Sequence, residues 1–211
     1  MTVDVLVRTF NPSVVGSNPT RVTRDSSQED VAAMEPAAFW SVTMKRADGV
    51  LIPAIEELTS DELRAQPMGH DTSPIGWLAW HLTKVQDDYI ALISNGETVW
   101  DGQGWNSRFP NAEGALHIAP EKVGTFDPVD AQVLLAYYQA VRERATDVMA
   151  GLTPDDFERV CESTTPGGRS MAVSEILAMV TSDTLQHIGQ IAYLRGILRD
   201  QGWYAKRRVL A

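Results

Sequence analysis

Met171-Ala-Val-Ser-Glu-Ile-Leu-Ala-Met-Val-Thr-Ser-Asp183-Thr-Leu-Gln-His187-Ile-Gly-Gln190-Ile-Ala-Tyr-Leu-Arg-Gly-Ile-Leu-Arg199 reads as one long helix. Val173, Ile176, Val180, His187, Ile191, Leu194 and Leu198 recur at steps of three, four or seven, the spacing of one helix face. Two polar residues lie on or beside that apolar stripe. Asp183 follows Val180 by three, and His187 takes a place where the spacing asks for a core residue. Four residues apart, they project from nearly the same side, about 6 Å apart along the axis. A buried carboxylate or imidazole is costly unless satisfied, so the pair needs either a mutual hydrogen bond or a further partner.

Three more long helices precede this one. Pro36 to Leu58 carries Trp40, Met44, Ala47, Leu51, Ala54, Ile55 and Leu58 at helical spacing, with Pro36 suited to the first turn. Thr59-Ser60-Asp61-Glu62 can cap a short turn after it. A second helix opens with Ser73 as N-cap and Pro74 at its first position and stops at Asn95-Gly96. Its stripe of Leu78, His81, Val85, Asp88 and Leu92 again puts a histidine at a core-type position, flanked by Trp77 and Trp80. The third starts at Asp127-Pro128, with Asp127 as N-cap, and buries Leu134, Tyr138, Val141, Ala145, Val148 and Leu152. No stretch reads as a strand. The pieces Leu58-Thr-Ser-Asp-Glu-Leu63 and Leu152-Thr-Pro-Asp-Asp-Phe157 echo each other, each between two long helices.

Glu97 to Phe126 shows no periodicity, and about 30 residues is far longer than the usual link between neighbouring helices. The spacing therefore predicts an all-α four-helix bundle with a long crossover connection between helices two and three. That connection carries Trp100, Trp105, Arg108, Phe109 and His117, which suit either a wall over a pocket or a loop pinned by its tryptophans.

At 211 residues the chain fits one domain, residues 34–205, with appendages. Residues 1–33, interrupted by Pro12, Gly16 and Pro19, are expected to be a disordered or mis-assigned extension, with synthesis starting at Met34, which an intact-mass measurement tests. Trp203 is expected to dock on the bundle, and residues 206–211 form a short basic tail. The net charge of −10 argues against a nucleic-acid groove. No apolar run reaches the roughly 18 residues of a membrane span. One cysteine, Cys161, excludes an internal disulfide framework and suits the cytoplasm. It lies before the last helix with no helix N-terminal anion site and no basic neighbour beyond Arg159, which does not mark it as a nucleophile.

Helix bundles build metal sites from inward-facing ligands, and His81 with Asp183 and His187 would supply two imidazoles and a carboxylate. Such a set accepts one divalent ion, whether zinc, nickel, iron or manganese, and leaves positions open. Asp88 lies two turns beyond His81 and can orient a ligand or a metal-bound water. A core histidine hydrogen-bonded to a carboxylate is the ordinary alternative.

Ser73-Pro-Ile-Gly-Trp-Leu-Ala-Trp-His81-Leu, the segment Trp100 to Pro110 and above all Ser182-Asp-Thr-Leu-Gln-His187-Ile-Gly-Gln-Ile-Ala-Tyr-Leu-Arg-Gly196 resemble the DinB-like superfamily over about residues 35–204. This group includes mycothiol-dependent maleylpyruvate isomerase metal-binding domains and bacillithiol transferases. The resemblance implies a crossover bundle holding one divalent metal on His81, Asp183 and His187. Many members carry histidine where Asp183 stands, and aspartate makes the ligand set less positive. The implied activity is metal-dependent transfer of a low-molecular-weight thiol to a small electrophile, as in detoxification, with maleylpyruvate itself resting on membership alone. Trp77, Trp80, Trp105 and Arg108 are candidates for shaping the pocket, and Gln190 for fixing the ligand geometry. The alternatives are a metal-binding or stress-linked module without turnover, and a structural helical homodimer.

Overall fold

Four long helices pack so that consecutive ones do not always neighbour each other. In a computed structural model that describes residues 35–70, 72–109, 112, 123–163 and 168–200, they are α1 (Pro36–Ile55), α3 (Ile75–Ser94), α5 (Ala131–Ala150) and α6 (Val173–Arg199). Among the described residues, two short α-helices, α2 (Ser60–Arg64) and α4 (Val99–Gly102), sit in the connections. The expectations for the first 33 residues, for His117, for Trp203 and for the tail fall outside the described residues.

Each of α1 and α3 packs against both α5 and α6, so α1 faces α3 across the diagonal. Side-chain partners set the directions. Tyr137 donates to Asp87 and Arg144 to Ser94, so α3 and α5 run parallel. His81 faces His187 while Gln86 donates to Thr184, so α3 and α6 run antiparallel. Arg195 donates to the Ala54 carbonyl, whereas Trp40 and Met44 pack with Ile176 and Val180, so α1 runs along α6. Two parallel neighbours joined in sequence leave the ends of the long connection a helix length apart, about 30 Å for 20 residues. That geometry explains its length.

The apolar stripes expected for α1 are buried to the residue, from Trp40 to Leu58. α3 differs, because α5 and α6 cover it on two sides and α2 and α4 pack on it too. Trp80, Leu82, Thr83, Gln86 and Asp87 are buried along with Leu78 and Val85, while His81, Asp88 and Leu92 are only partly covered. The stripe read from the sequence is thus one edge of a helix buried nearly all round. Trp80, Tyr137 and Tyr138 each remove roughly 150–250 Å² from water, worth about 4–6 kcal/mol before the entropy of ordering them.

Helix starts depart from expectation in two places. Pro74, not Ser73, holds the N-cap of α3, because its extended ψ of 157° delays the helix to Ile75. α5 begins at Ala131 with Asp130 as its cap, accepting from the Val133 amide at 2.8 Å. Val129, at φ 64°, breaks the backbone between Pro128 and the helix, and Asp127 instead accepts from the Val129 amide and Arg64. One two-residue ladder also exists, β1 (Val160–Cys161) against β2 (Met171–Ala172), too short to leave an alternating pattern in the sequence. The echoing hexapeptides form the same turn twice, with Thr59 and Glu62 capping each other in one and Thr153 and Asp156 in the other.

The long connection is pinned by its aromatics. Trp100, Trp105, Phe109 and Phe126 are buried and pack around Tyr137 and Trp80. Asp87 ties this layer to the bundle by accepting from the amides of Val99 and Trp100 at 2.7 and 2.8 Å and from the Tyr137 hydroxyl at 2.8 Å. Nearby, a Cβ built on Gly76 would lie 2.5 Å from Pro128 and 3.0 Å from the Leu63 carbonyl oxygen. Gly76→Ala is therefore expected to lower stability by about 1–3 kcal/mol, read as a shifted urea midpoint at unchanged slope.

Candidate metal centre

His81 on α3 meets Asp183 and His187 where α3 crosses one turn of α6. Nε2 of His187 is 3.3 Å from Asp183 Oδ1, and Nε2 of His81 is 4.0 Å from the same oxygen. The ligand atoms of all three lie within 4.8 Å of one another, so the group could hold a metal ion. Their side chains are 14%, 26% and 18% exposed for His81, Asp183 and His187, sheltered yet reachable from solvent.

The Gln190 side-chain oxygen lies 2.7 Å from Nδ1 of His187. Since that oxygen only accepts, Nδ1 carries the hydrogen and the neutral ring directs the lone pair of Nε2 at the cluster. Asp183 Oδ2 is buried with no hydrogen-bond partner. A buried carboxylate that faces two imidazoles with one oxygen and leaves the other unbonded is costly, and a cation bound to it would offset its charge. The residues fit a divalent first-row ion, which takes imidazole nitrogen and carboxylate oxygen as ligands.

Two neighbours hold the histidines. Trp77 stacks on His81 with ring centroids 4.6 Å apart and planes 21° apart, and the two histidine rings meet edge-on at 5.0 Å. Burial opposes charge on His187, but hydrogen bonds to Asp183 and Gln190 and the charge of Asp183 outweigh it and hold its pKa above the ordinary value. Because Gln190 sets the tautomer, Gln190→Leu is expected to weaken divalent-ion binding about 10–100-fold by calorimetric titration, with helical content unchanged.

The other candidate residues are placed elsewhere. Asp88 is paired with Lys84 one turn away on α3, and burial pushes its carboxyl up against the pull of that ammonium. Trp80 is core, in contact with Trp100 and Phe126. Trp105 packs on Tyr137, and Arg108 lies over its ring at 4.2 Å from the centroid. The structure thus gathers His81, Asp183, His187, Gln190 and Trp77 and assigns Trp80, Trp105 and Arg108 to the aromatic layer. It also adds Gln86, fully buried and donating to Thr184 at 3.2 Å, which joins the two ligand-bearing helices beside Asp183. Its only signal in the sequence is a polar residue inside a helix buried nearly all round.

Among solved structures, a conserved protein from Enterococcus faecalis is similar to this chain with a TM-score of 0.70 at 20% identity, covering 80% of this chain and 100% of that one. The likeness is one of fold. No curated protein matches. The family model described as the DinB superfamily matches residues 43–191, a span that takes in His81, Asp183 and His187. The chain belongs to the DinB superfamily.

Proposed function

We propose that the protein is a metal-dependent transferase that joins a low-molecular-weight thiol to a small electrophile. The observation that carries this reading is the convergence of the His81 and His187 ring nitrogens on Asp183 Oδ1, while the other oxygen of that carboxylate is buried and unbonded. Membership of a superfamily that is metal-binding in general supports it. Zinc, nickel, iron or manganese bound there would lower the pKa of a thiol and stabilise its thiolate. Three protein ligands leave room for that fourth group. Gln190 keeps Nε2 of His187 free of a proton, Trp77 fixes the His81 ring, and Asp183 lowers the positive charge of the set. In the reaction the thiol would lose its proton, a sulfur–carbon bond would form as the carbon–leaving-group bond breaks, and the leaving group would depart with its electron pair and that proton.

The test begins with the ion content of protein purified without a histidine tag, followed by thiol consumption against a panel of electrophiles. Near-stoichiometric metal and thiol consumption lost in His187→Ala support the transferase. Failure to bind any divalent ion overturns both metal readings. Stoichiometric metal with no thiol consumed favours the second reading, a metal-binding module without turnover, for which Asp183 in place of histidine is the relevant observation, since it reduces Lewis acidity.

A further inference from the structure

Two buried oxygens without a donor sit where α3 crosses α6. Among the described residues eight buried side-chain atoms lack a hydrogen-bond partner, and six of them are nitrogens of tryptophan or arginine. The other two are Gln86 Oε1 and Asp183 Oδ2. Gln86 is 0% exposed, and its amide nitrogen lies 3.2 Å from the hydroxyl oxygen of Thr184, the residue next to Asp183. His81, five positions earlier on α3, meets the same turn of α6 at Asp183 Oδ1. Thr184 is buried as well and has no partner but Gln86, whereas Thr181 donates to the Leu177 carbonyl at 2.7 Å. A hydroxyl donates as readily as it accepts, so the Thr184 hydrogen is available to the amide.

We propose that Gln86 is the residue that positions Asp183 for the ion. Its carboxamide is turned over, so that Oε1 accepts from the Thr184 hydroxyl and Nε2 donates to Asp183 Oδ2. Half a turn about the last bond exchanges the amide oxygen and nitrogen and shifts no other atom. The bond to Thr184 survives with its direction reversed, and both donorless oxygens are served by groups already at the crossing. Two buried acceptors left side by side would each keep the cost of lost hydration. The consequence for the metal centre is direct, because a ligating carboxylate is aimed by whatever holds its other oxygen. With Oδ2 held, Oδ1 is the oxygen left for the ion, and it already lies 3.3 and 4.0 Å from the two histidine nitrogens. Gln86 thus does for Asp183 what Gln190 does for His187, from the opposite helix. This rests on the metal centre of the preceding reading and not on its thiol chemistry.

Two measurements on the full chain test it. In metal-free protein, the side-chain amide protons of Gln86 are followed by nitrogen-15 NMR. They are expected to resist exchange with solvent and to move more in Asp183→Ala than in Thr184→Val. Signals that move only in Thr184→Val overturn the inference, because the nitrogen then faces the hydroxyl. The second measurement is cobalt(II) binding by calorimetry and visible absorption. Gln86→Met keeps the volume and removes the donor, and it is expected to lower the affinity about 10–100-fold and alter the absorption bands, with helical content unchanged. Thr184→Val is expected to lose much less. Wild-type affinity and bands in Gln86→Met overturn the inference. So does an equal loss in both variants, since the tie between the helices would then be what sets the affinity. A wild type that takes up no cobalt(II) overturns the role of Gln86 together with the metal reading. Neither measurement involves thiol consumption, so the transferase can fail while the role of Gln86 stands.

Discussion

Replacing His187 with alanine is expected to lower divalent-ion affinity at least about 100-fold, since one of three ligands is lost and structural sites draw some 10–16 kcal/mol from their full sets. The loss shows in stability as well as in titration. An ion a thousandfold above its Kd adds about 4 kcal/mol to the folded state. At roughly 2–4 °C per kcal/mol for a chain of this size, a chelator should lower the wild-type Tm by about 8–16 °C and that of His187→Ala by no more than about 3–6 °C. An equal drop in the variant would show that the ion sits elsewhere.

The pH dependence of the same site has opposite signs in its two states. The ion needs a neutral imidazole, and His187 has its pKa held above the ordinary value, so affinity should begin to fall as the pH is lowered from above about 6.5. In the chelated protein the pairing of imidazolium with Asp183 contributes stability that is full below the unfolded-state pKa and lost as pH rises through the raised value. Mild acid should therefore raise the Tm of chelated protein relative to His187→Ala while weakening the ion's stabilisation of the wild type. Melting curves with and without chelator across that range read both signs.

Asp87→Ala is the largest expected loss of stability away from the metal. The carboxylate is buried and accepts from two amides and a tyrosine hydroxyl, and its removal strands three buried donors. Each costs on the order of 1–3 kcal/mol when unsatisfied, and local relaxation brings the total to about 3–5 kcal/mol. That is a large share of the 5–15 kcal/mol by which a domain is stable. Asp87→Asn retains one acceptor oxygen and should lose less. The urea midpoint reads the loss, and the fluorescence of Trp100, whose own amide Asp87 holds, should change early in the transition. A loss under about 1 kcal/mol for the alanine variant would mean that α4 is not held by this residue.

The four long helices and the candidate metal ligands were legible in the sequence because each depends on local spacing. A period of 3.6 residues places Trp40 to Leu58 on one face whatever packs against it, and four residues between Asp183 and His187 put them on one side of any helix. The paired capping turns were legible as the repeated hexapeptide for the same reason. Helix starts were less so. A proline near a helix can stand at the cap or at the first position, and the left-handed Val129 has no signature in its residue type.

By itself, the sequence determined an all-α bundle with a long second connection, and it marked His81, Asp183 and His187 as polar residues on stripes that should be apolar. Only tertiary packing decided that α3 is covered nearly all round, that α3 and α5 run parallel, and which polar residues share a site. Asp87 and Asp88 are adjacent acids on one helix, indistinguishable in the sequence. The helix turns them about 100° apart, so one caps α4 in the core and the other pairs with Lys84. Trp77 and Trp80 divide likewise, one stacked on His81 and the other sunk in the aromatic layer. Spacing within a helix is a property of the chain, whereas the neighbour each face meets is a property of the whole bundle.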